Sequence, residues 1–111
     1  MDYSSAKAGL AAFCKALSKE TGRHGIRVNA ISPGPVATDL WLRARGVAQT
    51  VGTATEASPD DVIGQAINQM PTGRFTQPSE VADLVLFLAG SQAGNITGAD
   101  LTNDGGYVPT W

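Results

Sequence analysis

The chain has 111 residues, with 8 basic against 10 acidic side chains and 42% apolar residues. That apolar share belongs to a globular protein rather than a solvated tail, and the length supports one domain at most. A net charge of −2 and the absence of a basic stripe argue against nucleic acid or an anionic membrane surface as partner. The single cysteine, Cys14, excludes a disulfide framework and a Cys-rich zinc site, and no metal-ligand spacing occurs. The longest apolar run, Leu84 to Ala89, is far short of the about 20 residues of a membrane span, and no signal peptide is visible. A cytoplasmic setting is therefore the expectation.

Residues 3–20 read as a helix, with Ala6, Leu10, Phe13 and Leu17 spaced as one buried stripe. Asp2 is placed to cap it and Gly22 to stop it. Ala8, Gly9, Ala11, Ala12 and Ala16 are small enough for another element to approach closely. Ile26 to Ile31 reads as a short strand rich in β-branched residues, closed by Ser32-Pro33-Gly34. A short helix is expected over Thr38–Arg45 and a small-residue loop over 46–57. Ser58-Pro59-Asp60-Asp61 is a helix start: a serine cap, proline in the first turn, then acids at the positive end of the dipole. That helix should run to about Gln69, where Pro71 to Gly73 interrupts.

Thr76-Gln77-Pro78-Ser79-Glu80 opens the last helix, whose apolar face is Val81, Leu84, Val85 and Leu88. Ala99 to Asn103 reads as a second strand, followed by the tight turn Asp104-Gly105-Gly106. Helices alternating with strands in this order imply an α/β layer in which the two strands run parallel, joined by a right-handed crossover. Two strands make a very small sheet, and the first helix has no strand before it, so the pattern reads as the second half of something larger.

Several residues that could carry chemistry have plainer readings. His24 lies in a turn as a solvated loop residue, and Cys14 sits where a small hydrophobe would. Asp60-Asp61 suits a helix start better than a metal. Arg43 and Arg45 suit a solvated face, and Trp41 could pack a lid or a core. Tyr3 and Lys7 are four apart on a helix, so both side chains share one face and can reach a common ligand. A tyrosine handles protons near neutral pH only where nearby positive charge and exclusion of water favour its phenolate. Standing alone, Tyr-x-x-x-Lys would be an ordinary helix surface.

The context changes that reading. Tyr3-x-x-x-Lys7 is followed by Asn29-Ala30-Ile31-Ser32-Pro33-Gly34-Pro35-Val36-Ala37-Thr38 and by Gly73-Arg74-Phe75 with Pro78 and Glu80-Val81-Ala82. Ile96-Thr97-Gly98-Ala99-Asp100 then leads to Asp104-Gly105-Gly106. In order and spacing these resemble the C-terminal part of the short-chain dehydrogenase/reductase family, over essentially the whole chain. The resemblance implies an α/β fold, the C-terminal part of a doubly wound, Rossmann-like parallel sheet with covering helices. It implies an NAD(P)-dependent oxidoreductase interconverting a small-molecule alcohol and ketone. Tyr3 would be the catalytic acid/base, and Lys7 would bind the ribose hydroxyls of NAD or NADP. Pro33, Gly34, the Val36 backbone and the Thr38 hydroxyl would line the nicotinamide carboxamide, while 39–72 would form a substrate lid. Asn29 and Asp104-Gly105-Gly106 read as structural.

The glycine-rich phosphate turn and the serine that the family places before the tyrosine do not occur in the sequence. Residues 1–111 are thus expected to be the C-terminal half of a single such domain, inactive alone. The alternative is a non-catalytic module that self-associates, or a split-enzyme half completed in trans. An uncovered edge at 26–31 and the faces of the first and last helices make a homo-oligomer the expectation.

Overall fold

The computed structural model describes residues 2–38 and 58–108. Helix α1 spans Asp2–Thr21, strand β1 Ala30–Pro33, helix α2 Pro59–Asn68, helix α3 Pro78–Ala89 and strand β2 Asp100–Asn103. Short 3₁₀ turns at Gly22–His24 and Ser91–Ala93 follow α1 and α3. The helix expected over Thr38–Arg45, the loop at 46–57, Trp41, Arg43 and Arg45 lie outside the described residues.

The two strands form one sheet. Ala30 N–H donates to the Ala99 carbonyl at 2.8 Å and Gly34 N–H to the Asn103 carbonyl at 3.0 Å. Equal steps in the same direction along both strands make the pair parallel, as expected. The first strand nevertheless begins later than Ile26. Over Val28 and Asn29 side chains join the main chain in holding the backbone: Gly98 N–H donates to the Val28 carbonyl at 2.7 Å, and Val28 N–H to Thr97 Oγ1 at 3.0 Å. The Asn29 amide donates to the Ile96 carbonyl at 2.9 Å and accepts from Ala99 N–H at 3.1 Å. Asn29 therefore aligns the start of the sheet, the structural role its position suggested.

The chain divides into two compact units, Met1–Ser32 with Leu84–Thr102, and Pro33–Asp83 with Asn103–Trp111. In the first, the buried residues are Ser18, Leu88 and Ala93. Gly98, at φ 71°, faces α1 so closely that a Cβ there would lie 2.6 Å from Ser18 Oγ, and Lys15 Nζ donates to its carbonyl at 2.9 Å. Close approach to α1 thus occurs at Ser18 and not along the Ala/Gly run, where nothing stands within 4 Å of a Cβ placed on Gly9. Arg27 lies under the end of α3 and donates to the Leu88 and Gly90 carbonyls.

The expected stripe on α1 exists as a pattern but is not buried: Leu10 is 54% and Phe13 61% exposed, and only Leu17 is half-covered. Periodicity marks a helix face as apolar without saying which segment will cover it. Likewise α3 buries Leu88 and half-buries Val81 and Leu84 but leaves Val85 exposed. Asp2 lies within the first turn of α1, and the left-handed stop comes at Gly25, φ 74°, after the 3₁₀ turn. Cys14 is partly exposed.

In the second unit α2 begins where the local chemistry predicts: Ser58 Oγ accepts from Asp61 N–H at 3.1 Å, with Pro59 in the first turn. Its inner face supplies Ala66, which packs with Met70 and Phe75, and Ala37, Ile63, Ile67 and Tyr107 close around them. Before α3, the Arg74 guanidinium forks onto Glu80, with Nη2 donating to Oε2 at 2.9 Å and Nη1 to Oε1. Glu80 Oε1 also accepts from Gln77 N–H at 3.0 Å, capping the helix.

Glu80 is consequently the carboxylate most perturbed toward its charged form. The hydrogen bond from Arg74 and then that from Gln77 lower its pKa from 4.5 to about 2. Because the folded value lies below the unfolded one, this contribution is complete above pH 4.5 and fades as the pH falls towards 2. Both partners are solvent-exposed, so the effect is modest. An NMR titration of the Glu80 side chain should show the low midpoint, and Arg74→Met should return it towards the ordinary range. A wild-type midpoint already in that range would contradict the pairing.

Candidate functional site

Tyr3 and Lys7 both project from the first turns of α1. The Lys7 ammonium stands 5.5 Å from the centre of the Tyr3 ring, so the pair shares one helix face. Tyr3 is 74% exposed and Lys7 is exposed as well. Among the described residues Lys7 has no carboxylate partner, which leaves its three donors for a ligand.

Pro33, Gly34, Val36 and Thr38 form a turn in the second unit. It leaves β1 through Gly34 N–H on Asn103, and Pro35 is buried. Thr76, which sequence reasoning passed over, pairs with Val36 in an isolated parallel bridge. Thr76 N–H donates to the Pro35 carbonyl at 3.2 Å, and its own carbonyl accepts from Ala37 N–H at 2.8 Å. In such a bridge the bonds go to the residues on either side, so Val36 gives it neither N–H nor C=O. The Val36 carbonyl instead accepts from Thr38 N–H at 2.7 Å and, at 3.4 Å, from the Thr38 hydroxyl. Thr38 thus turns back on the turn, tightening the segment that presents Val36.

Gly34 is a glycine because of close packing against a neighbouring turn. A Cβ there would lie 2.6 Å from the Asp104 Cβ, so the crowding comes from the protein itself. Thr76 had no signal in the sequence, since its bridge uses only main-chain groups that every residue type but proline carries. Arg23 Nε faces His24 Nε2 at 3.3 Å on an exposed turn. An open cleft of about 420 Å³ in the first unit is lined by Arg27, Asn29, Ile31, Val85 and Leu88 among others, with neither Tyr3 nor Lys7 on its wall. Among the described residues no cluster of His, Cys, Asp and Glu could hold a metal, and no helix is long and apolar enough to cross a membrane.

A braced turn at the carboxyl end of a parallel strand stands where open α/β sheets receive their ligands. A family model described as enoyl-(acyl carrier protein) reductase matches residues 1–108, and the chain belongs to this family of short-chain dehydrogenases/reductases. It is 40% identical over 107 residues to the 3-oxoacyl-(acyl-carrier-protein) reductase of Chlamydia muridarum, covering 96% of this chain and 38% of that protein. A solved short-chain dehydrogenase family protein from Francisella tularensis aligns with a TM-score of 0.85 at 33% identity, over 97% of this chain and 43% of that one. An NADPH-dependent reductase involved in bacilysin biosynthesis aligns with a TM-score of 0.79 at 30% identity, over 94% and 38%. The chain thus spans under half the length of the relatives it matches.

Proposed function

We propose that this chain forms the proton-handling and nicotinamide-facing part of an NAD(P)-dependent short-chain oxidoreductase that reduces a ketone, with a 3-oxoacyl thioester as the substrate class. The observation that carries the reading is the Tyr3–Lys7 pair, whose ring and ammonium share one exposed face of α1. The similarity to a 3-oxoacyl reductase supports the substrate class, and the similarity to an NADPH-dependent reductase supports the cofactor.

The residues fit the nicotinamide end of such a cofactor. Lys7 carries three donors suited to ribose hydroxyls, and the Val36 N–H stays out of the Thr76 bridge and so is available to a carboxamide oxygen, while the Val36 carbonyl is held by Thr38. A bound NAD(P)H supplies the hydride to the carbonyl carbon. Tyr3 Oη gives its proton to the carbonyl oxygen as the C=O π pair moves onto it, with the Lys7 ammonium on the same helix face. Val36, in the turn tightened by Thr38, would help hold the nicotinamide carboxamide of a bound cofactor. Residues 1–111 hold no glycine-rich phosphate turn, and turnover is expected only where a longer chain or a second piece supplies one.

The test is complementation. The purified chain is mixed with the separately expressed N-terminal portion of a short-chain reductase, and NADPH oxidation is followed with a 3-oxoacyl thioester. Turnover should require both pieces. Complex formation without turnover would favour a second reading, a non-catalytic module that associates through the exposed apolar residues Leu10 and Phe13 of α1 and Leu86 of α3.

A further inference from the structure

Behind the Pro33–Val36 turn lies the end of β2. Gly34 N–H is bonded to the Asn103 carbonyl, and a Cβ on Gly34 would stand 2.6 Å from the Asp104 Cβ and 3.0 Å from its Cα. Asp104 is buried, and both its carboxylate oxygens are used within its own turn. Oδ1 accepts from Gly106 N–H and Oδ2 from Val108 N–H, each at 2.8 Å, while its main-chain carbonyl accepts from Tyr107 N–H at 3.1 Å. On the far side, Gly106 has φ 82° and a Cβ there would lie 2.8 Å from Pro71 Cγ, while Thr72 N–H donates to the Gly105 carbonyl at 3.2 Å. The 104–108 turn is therefore wedged between Gly34 and the Pro71–Thr72 segment. The Thr76 bridge sets the hydrogen-bond register of the Pro35–Ala37 backbone, and Asp104 sets how deeply Gly34 can settle.

We infer that Asp104 is a positioning residue for the cofactor-facing turn: by capping the Gly106 and Val108 amides, its carboxylate holds its own Cα and Cβ against Gly34 and so fixes where Val36 presents its main-chain groups. The inference rests on the reading of Pro33–Thr38 as the nicotinamide rim. Asp104 itself touches neither cofactor nor substrate.

The test uses the ¹⁵N-labelled chain and its Asp104→Ala, Asp104→Asn and Gly34→Ala variants, each titrated with nicotinamide mononucleotide. Asp104→Ala should displace the Gly34, Val36 and Ala37 amide resonances before any ligand is added, and weaken binding by the folded chain about tenfold. Asp104→Asn keeps one acceptor and should fall between. Gly34→Ala, which forces the same two segments apart, should displace the same amides. A purely structural role predicts a lower unfolding midpoint for Asp104→Ala with those amides and the folded chain's affinity unmoved, and that result overturns the inference. If the wild-type chain does not respond to the mononucleotide, the cofactor reading fails, while the ligand-free displacements still decide whether Asp104 sets the turn. If Asp104→Ala does not fold, the asparagine variant carries both readouts.

Discussion

Replacing Phe75 by alanine is expected to cost about 3 kcal/mol and to unfold the second unit under conditions where the parent chain is folded. Phe75 is 6% exposed and is the largest side chain in the cluster with Ala66 and Met70. Removing its ring takes away much of the cluster against which Ile63, Ile67 and Tyr107 pack and leaves a cavity. Among the described residues no large side chain is wholly buried, which sets the cost near the lower end for an aromatic deletion. Domains are stable by about 5–15 kcal/mol, so a loss of this size is a large fraction of the total. Phe75 also immediately precedes Thr76, so the variant should loosen the Val36 bridge before global unfolding. Urea denaturation followed by circular dichroism measures the first effect, and amide exchange at Ala37 the second. A change below about 1 kcal/mol would mean that the cluster is not the core of this unit.

What could be read beforehand was what short-range chemistry decides. The start of α2 needs only Ser58, Pro59 and the acids that follow, all within one turn, and it forms where those residues stand. The identity of α1 as a helix was equally legible, but the burial of its stripe was not, because Leu10 and Phe13 carry no information about what covers them. The first strand was placed too early because Ile26 and Val28 look like a ladder. Instead Val28 N–H goes to the Thr97 side chain and the Val28 carbonyl to Gly98 N–H, while the Asn29 side chain ties Ile96 and Ala99, 67 to 70 positions away in sequence. The site residues were found through a pattern of types, which located the turn but not what braces it. Thr76 bridges Val36 through its main chain and donates its hydroxyl to the Asn103 carbonyl, and Asp104 caps two amides beside Gly34, but neither residue's type says which distant segment it meets. Tyr3 and Lys7 fall in one compact unit and Pro33–Thr38 in the other.

Tyr3→Phe is the substitution with the largest expected effect on chemistry. It removes one oxygen from an exposed position on α1, so folding should be untouched: the ring and its approach to the Lys7 ammonium remain. What is lost is the hydroxyl proton that the proposed reduction transfers to the carbonyl oxygen. Positioned proton transfer is worth about 10²- to 10⁴-fold in rate. Lys7→Met should instead lower cofactor affinity, since it removes the donors proposed for the ribose hydroxyls. The decisive measurement is hydride transfer from NADPH to a 3-oxoacyl thioester by the complemented assembly, comparing wild-type chain with Tyr3→Phe at matched complex concentration. A loss of at least about a hundredfold with assembly intact is the predicted result. An unchanged rate would contradict the assignment of Tyr3 as the proton donor, and with it the proposed role of this chain.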